Sequence, residues 1–414
     1  MRDSKRARLR LRPAWQMVDR TMAGPLAHLK VVDLSRIMAG PWSTQILADL
    51  GADVIKVERA GSGDDTRAWG PPFLKDRDGN DTKESGYYLS VNRGKRSIAL
   101  ELDKPEHQEI VRALVARSDI VVENFKVGTL KKFGLDYESL KQVNPRLIYA
   151  SITGFGQTGP RKDNAAYDFM IQAMGGLMSV TGEPDGAPGG KPQKVGVPIT
   201  DIMTGMYAAI GVLAAVARRN ESGEGEHIDI GMLDVQVSFL ANQAMNHLVS
   251  GRTPQRTGNA HPNIQPQDVF KTADGHLVLV VGNDGQFEKF CAVINRPELA
   301  TDERFMRNSG RVKNRQILAD IINECLTQKP ISYWVAELEA AGVPAGPINT
   351  IPMVFEDEQV RHRGMLTQAE HPLSGRVPLV TSPMKFAVNP LPNPKAPPLL
   401  GQHTDDILRE IGWS

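Results

Sequence analysis

Apolar residues run through the first half of the chain in two alternating rhythms. Short continuous apolar runs at residues 29–34, 53–58, 97–102, 119–123 and 146–153 have the length and β-branched content of buried strands. Between them, residues 41–50 and 105–117 repeat apolar positions at helical spacing, with Pro41 opening the first and Asp103 placed to cap the second. Strand and helix in alternation predict a mostly parallel sheet covered on both faces, an α/β fold of Rossmann-like kind. The pattern then changes. Residues 182–192 are rich in Gly and Pro and too poor in apolar residues to be core. Behind them a small and apolar run from Val197 to Ala217 predicts one long helix, opened by a lone carboxylate, Asp201.

The turn at 220–226 marks a change of unit. Beyond it the pattern predicts a strand at 227–230, a helix at 233–249, a polar stretch at 251–267, a strand at 276–281, and helices near 286–294, 311–328 and 331–341. A Gly/Pro turn at 342–349 leads into a Pro-rich tail, and no internal repeat is visible. The predicted organisation is a large domain over 25–225, a small α/β domain with linkers over 226–341, and a C-terminal segment, 342–414, that returns to the large domain. Residues 1–24 read as a disordered basic tail, or as an over-extended start with Met17 or Met22 as the true beginning. The first twenty residues carry seven Lys/Arg against Asp3 and Asp19, and they lack the apolar core of a secretion signal.

A length of 414 residues exceeds one ordinary core, which fits two or three folding units. With a formal net charge of +1, no basic stripe and no zinc spacing, nothing points to nucleic acid. Cys291 and Cys325 stand far apart without CxxC or histidine spacing, which argues against a disulfide framework or a metal site and for a reducing, cytoplasmic setting. The 197–217 run is as long as a membrane span, yet it contains Asp201 and ends in Arg218 and Arg219, so a helix buried in a soluble domain is expected and no membrane partner. The first strand–helix turn, residues 35–41, lacks the GxGxxG that brings a dinucleotide pyrophosphate close, although Glu58 stands where a ribose-binding acid would.

Asp201 has two local readings. It is a helix cap, because Asp and Thr are common there, or a nucleophilic carboxylate beside a helix N-terminus that favours its ionised form.

The chain resembles the family III CoA-transferases over nearly all of residues 26–412. The resemblance rests on Met38-Ala39-Gly40-Pro41, the 51–59 stretch ending Lys56-Val57-Glu58-Arg59, Gly61-Ser62-Gly63-Asp64, the 92–98 stretch, Val122-Glu123-Asn124-Phe125, Asn144-Pro145-Arg146 and the closing 398–404 stretch. That group contains formyl-CoA:oxalate and L-carnitine CoA-transferases, with α-methylacyl-CoA racemase as a divergent branch. The resemblance implies that Asp201 is the nucleophile. A carboxylate there attacks a thioester carbonyl and holds the acyl group as a mixed anhydride, and returning CoA thiolate converts it to an aspartyl-CoA thioester. Coenzyme A and acyl-CoA are then substrates, with no permanently bound cofactor. By resemblance the CoA contacts are Met38, Ala39, Arg59, Leu102, Lys104, Asn124, Phe125, Lys126, Lys132, Tyr167 and Asp168, while Lys95 and Arg96 lie in a basic turn suited to phosphate. Met38 replaces a glutamine of the formyl-CoA enzyme.

The stretch matching that enzyme's glycine-rich covering loop includes Gly258, Asn259 and His261, with one glycine in place of a run. This implies a loop shaped for an acid other than oxalate, and residues 258–272 look more like the branch using succinyl-CoA and glutarate-type dicarboxylates. The alternative is a racemase-like isomerase. That branch places a histidine immediately before the position of Asp168, where this chain has Tyr167, a poor base near neutral pH. The resemblance also implies an interlocked homodimer.

Overall fold

A computed structural model describes residues 24–413; apart from Gly24, the reading of residues 1–24 as a tail lies outside the described residues. In chain order the first strands are β1 (Lys30–Asp33), β2 (Asp53–Arg59), a small hairpin of β3 (Phe73–Lys75) and β4 (Asp81–Ser85), β5 (Arg96–Leu100), β6 (Ile120–Glu123), β7 (Ile148–Thr153) and β8 (Glu226–Gly231). Six of them form one parallel sheet in the order β5-β2-β1-β6-β7-β8. Counting only the sheet's own strands, the order is 3-2-1-4-5-6, that of a doubly wound sheet. It reverses between β1 and β6, and ligands of such sheets sit outside the carboxyl ends of the strands at that point.

Alternate residues of these strands feed two cores, as buried parallel strands require. Val31, Val54, Val122, Ala150 and Ile152 face one side, where the helices Ala39–Asp49 and Ile199–Ser222 cover them. Val32, Ile55, Ile98, Val121 and Tyr149 face the other, beneath the helix Pro105–Val115 and the C-terminal helix Thr404–Ile411, whose Ile407 is fully buried. The long helix and its partner approach closely at Gly205, where a Cβ would lie 2.6 Å from the Ala39 carbonyl oxygen. A glycine there lets the first turns of the long helix rest on the first turn of the helix Ala39–Asp49.

The second α/β unit carries β9 (Gln267–Lys271), β10 (His276–Val280) and β11 (Ala345–Pro347) in an antiparallel sheet. Its core joins Phe270, Phe287, Phe290, Leu318 and Trp334 with Cys291, and Cys325 packs against it as a free thiol. A last hairpin, β12 (Leu366–His371) with β13 (Gly375–Val380), precedes the Pro-rich return to the large sheet.

Several local expectations change. Residues 226–231, assigned to the middle unit, instead complete the central sheet as β8. The predicted 233–249 helix is two helices, Met232–Ser238 and Ala241–Ser250, broken where Ala241 takes a positive φ of 46°. The predicted 311–328 helix divides at Asn314. Asp103 caps nothing; Lys104 is the residue before Pro105, and no side chain caps that helix.

Candidate active site

The loop leaving β1 is held in a strained shape at the sheet's reversal point. Ile37 has φ 74°, a costly conformation for a β-branched residue that persists only where surrounding contacts over-determine it. Those contacts are present. The Asn124 amide, just after β6, accepts the Arg36 N–H at 2.9 Å and donates to the Arg36 carbonyl at 2.7 Å, stitching the two loops together. The Asp64 carboxylate accepts the Ile37 N–H at 3.2 Å. Asp64 is itself paired with fully buried Lys56 at 2.8 Å, and Lys56 also donates to the Ser35 carbonyl at 2.9 Å.

Buried charge beneath this loop revises two expectations. Lys95 is not a phosphate partner: it is buried and donates to Asp33 at 2.9 Å, to Asn92 at 3.0 Å and to the Pro41 carbonyl at 3.0 Å. Burial outweighs the neighbouring Asp33 charge and pulls the Lys95 ammonium down to about 8. Arg96 is engaged by Asp53 and Glu410, both at 2.7 Å. The Glu58 carboxylate is engaged within the protein. Arg67 grips it through Nε and Nη2, each at 2.8 Å, and Ser97 donates to it at 2.7 Å.

Two adjoining cavities open above the loop. The larger, about 830 Å³, is lined by Arg59, Leu102, Lys104, Phe125 and Lys126; the smaller, about 200 Å³, by Met38, Ala39, Asn124, Phe125, Lys126, Tyr167 and Asp201. Arg36, Phe125 and Lys126 line both, at the junction. The first offers cations and apolar surface of the kind a nucleotide needs, and the second carries a carboxylate at its wall. Lys104 reaches the first with its ammonium 2.5 Å from Glu101. Lys132 lines neither cavity and is exposed on the 3₁₀ turn Leu130–Phe133.

Asp201 lies in the first turn of the helix Ile199–Ser222 but does not cap it. That role falls to Asp168, which opens the neighbouring helix Asp168–Met174. One Asp168 oxygen accepts the N–H of Thr200 at 2.8 Å and of Asp201 at 3.2 Å; the other accepts Gln172 Nε2 at 2.5 Å. The expectation that the helix N-terminus keeps Asp201 ionised is therefore corrected. Asp168 has taken the free N–H groups, and burial together with the Asp168 charge pushes Asp201 up to about 7. Near neutrality the group is poised between its two forms, as pKa-tuned site residues are.

Some neighbours of the site escaped the sequence reading. Burial, then Asp201 and Asp168, push the Tyr87 phenol up to about 12, which places it within electrostatic reach of both carboxylates; its ring meets Trp69 edge-on at 5.1 Å. Lys162 and Asn164 line the Asp201 cavity from the turn after β7. No motif marks these residues, and only the fold brings them to the sheet's carboxyl edge. The Gly258 loop lies elsewhere in the chain's own frame. The Gly258 N–H donates to the Gly182 carbonyl at 3.1 Å, Arg256 pairs with Asp185, and the His261 N–H donates to the Gln267 carbonyl at 2.9 Å. Gly258 thus rests on the Gly/Pro-rich 182–192 loop while His261 joins the strand β9, and none of Gly258, Asn259 and His261 lines the Asp201 cavity.

Residues 26–404 match the family described as CoA-transferase family III. The chain belongs to the family III CoA-transferases. It is 49% identical over 387 residues to a succinate–glutarate CoA-transferase of Agrobacterium fabrum, covering 94% of this chain and 96% of that protein. It is 42% identical to a mouse succinyl-CoA:glutarate CoA-transferase, covering 94% and 86%. Among solved structures, a CaiB/BaiF family protein from Brucella suis superposes with a TM-score of 0.83 at 49% identity, covering 94% of this chain and all of that one. As a family III CoA-transferase the protein acts on CoA thioesters. The racemase alternative gains nothing from these relatives, and the residue before Asp168 remains an exposed tyrosine.

Proposed function

We propose that this family III CoA-transferase moves CoA from an acyl-CoA donor to a carboxylic acid through Asp201, with succinyl-CoA and a glutarate-type dicarboxylate as the substrate pair. The observation that carries the reading is the position of Asp201 on the small cavity, which joins the cation-lined cleft at Phe125 and Lys126. CoA laid in the cleft would direct its thioester past that junction to the carboxylate. The names of the relatives supply the substrate pair.

In the first step a carboxylate oxygen of Asp201 attacks the thioester carbon, the C–S bond breaks and CoA thiolate leaves, giving a mixed anhydride. The thiolate then attacks the aspartyl carbonyl and expels the donor acid. An acceptor carboxylate attacks the resulting aspartyl thioester and displaces the thiolate, which finally takes the new acyl group and frees Asp201. No proton or electron is consumed overall. Only ionised Asp201 can begin the cycle, so burial sets the fraction ready at a given pH.

Arg59, Lys104 and Lys126 would meet the phosphates, Leu102 and Phe125 the adenine, and Met38 and Ala39 the arm leading to Asp201. Asp168 positions the nucleophile's helix. The homodimer reading is supported by exposed apolar residues on the elements around the site, among them Phe169, Met170, Met206, Tyr207, Ile210 and Leu248, an apolar surface that a second copy would cover. The free, core-packed cysteines are compatible with a cytoplasmic setting.

The test is covalent trapping. With succinyl-CoA present, hydroxylamine should modify Asp201 and stop exchange, and Asp201→Ala should show neither. An Asp201→Ala protein that still exchanged CoA between acids would end the proposal.

A further inference from the structure

The small cavity contains more positive charge than a thioester arm requires. Three cations line it: Arg36, Lys126 and Lys162. Arg36 is paired with Asp65 at 3.1 Å and leans over the Phe125 ring at 5.9 Å. Lys126 sits at the junction and belongs equally to the CoA cleft. Lys162 is different. Like Lys126 it has no carboxylate partner among the described residues, but of the three it is the one that lines the Asp201 cavity and not the CoA cleft. Asn164, two residues on, lines the same wall.

The placement is built into the fold. At the end of β7 a Cβ on Gly154 would lie 2.2 Å from the Ala166 Cβ, so only glycine lets the 162–167 segment close over the sheet's carboxyl edge. The turn is fixed by the Asn164 N–H, which donates to the Arg161 carbonyl at 2.9 Å. On the same cavity stands the Asp201 carboxylate, and Asp168, committed to the helix N-terminus beside it, adds a second negative charge. A dianionic acid entering beside them needs a positive partner for the carboxylate that does not react.

We infer that Lys162, with Asn164 beside it, binds the distal carboxylate of the dicarboxylic acid and so selects dicarboxylates over monocarboxylates of the same length. This rests on the CoA-transferase reading and adds the residue that sets its acceptor class. While one carboxylate of the acid attacks the aspartyl thioester, the other is held on the turn after β7. The lysine touches substrate and takes no part in bond making.

The experiment compares glutarate with pentanoate as acceptors from succinyl-CoA in the wild-type protein, Lys162→Met and Lys162→Arg. Loss of one charge-assisted hydrogen bond should raise KM for glutarate about tenfold in Lys162→Met with kcat held, and Lys162→Arg should recover most of it. The glutarate-to-pentanoate ratio of kcat/KM should fall by the same factor. Hydroxylamine trapping of Asp201 from succinyl-CoA reports that the variant is folded and competent. An unchanged ratio, or a fall in kcat with KM for glutarate unmoved, overturns the assignment of Lys162 alone. A wild-type protein that transfers CoA to no acid overturns the function and this inference together.

Discussion

Replacing Asp168 by Asn tests whether a neighbouring charge tunes Asp201, the proposed nucleophile. Asp201 is displaced from 3.8 to about 7, roughly three pH units, by burial first and by the Asp168 charge second. As the smaller of two causes, Asp168 accounts for less than about half of that, so its neutralisation should lower Asp201 by about one pH unit. The kcat/KM profile of the free enzyme reports this ionisation. Its acid limb, expected near pH 7 in the wild-type protein, should move toward pH 6, leaving the variant with about five times the ionised fraction at pH 6. The substitution has a structural cost as well. The Asn carbonyl can still accept the N–H groups of Thr200 and Asp201, but its amide would face Gln172 Nε2, a donor, on a fully buried residue. That conflict should cost about 1–2 kcal/mol. The measurement is kcat/KM from pH 5 to 9 with succinyl-CoA and glutarate, alongside thermal denaturation. An acid limb that stays in place while the protein remains folded would refute the coupling between the two carboxylates.

Three other outcomes follow from the same geometry. A carboxyl group whose folded pKa is raised penalises the folded state fully above about pH 7 and is relieved as pH falls toward 3.8. Asp201→Asn should therefore stabilise the protein at pH 8 by about 2 kcal/mol, the ceiling of about 4 being reduced because the cavity admits solvent, and the gain should vanish near pH 4; equal gains at both would contradict this. Arg59→Ala, at an exposed cation without an ion pair among the described residues, should raise KM for acyl-CoA about tenfold at low salt and less at high salt, with kcat unchanged; a salt-independent effect would remove Arg59 from the phosphate site. Arg67→Met strands Glu58 and Glu84 as buried carboxylates and should lower unfolding stability in urea by about 3–5 kcal/mol, whereas a loss under about 1 would mean the pair is solvated.

Much of this architecture was legible in the chain. Continuous apolar runs separated by helical spacing gave the parallel strands, because a strand buried on both faces has no polar alternation to hide it. Ordered motifs carried Met38, Ala39, Asn124, Phe125 and Asp201 to one edge of the sheet, where the structure places them together. What failed depended on partners distant in sequence. Lys95 and Arg96 read as a basic turn, but Asp33 lies 62 residues before Lys95 and Glu410 lies 314 after Arg96, and neither pairing has a local signature. The break at Ala241 was equally silent, since its neighbours keep helical composition while the backbone turns to positive φ.

Asp201 shows why local reasoning about charge is weakest where chemistry occurs. Its own sequence promises a helix N-terminus that stabilises an anion, and the helix is there. The stabilisation goes elsewhere, because Asp168, 33 residues earlier, reaches those N–H groups first and adds its own negative charge. Asp201, the proposed nucleophile, is left with its carboxyl pushed up to about 7 by burial and the Asp168 charge. Two cations on the same cavity, Lys126 where it joins the larger cleft and Lys162 on its wall, are the proposed partners for an anionic substrate. On the proposed reading a monocarboxylate leaves Lys162 unanswered, whereas a dicarboxylate pairs with it while presenting its other end to the aspartyl thioester. If both proposals hold, the carboxylate pair and Lys162 form one arrangement: the first sets when Asp201 is ionised, and the second sets which acid can approach it.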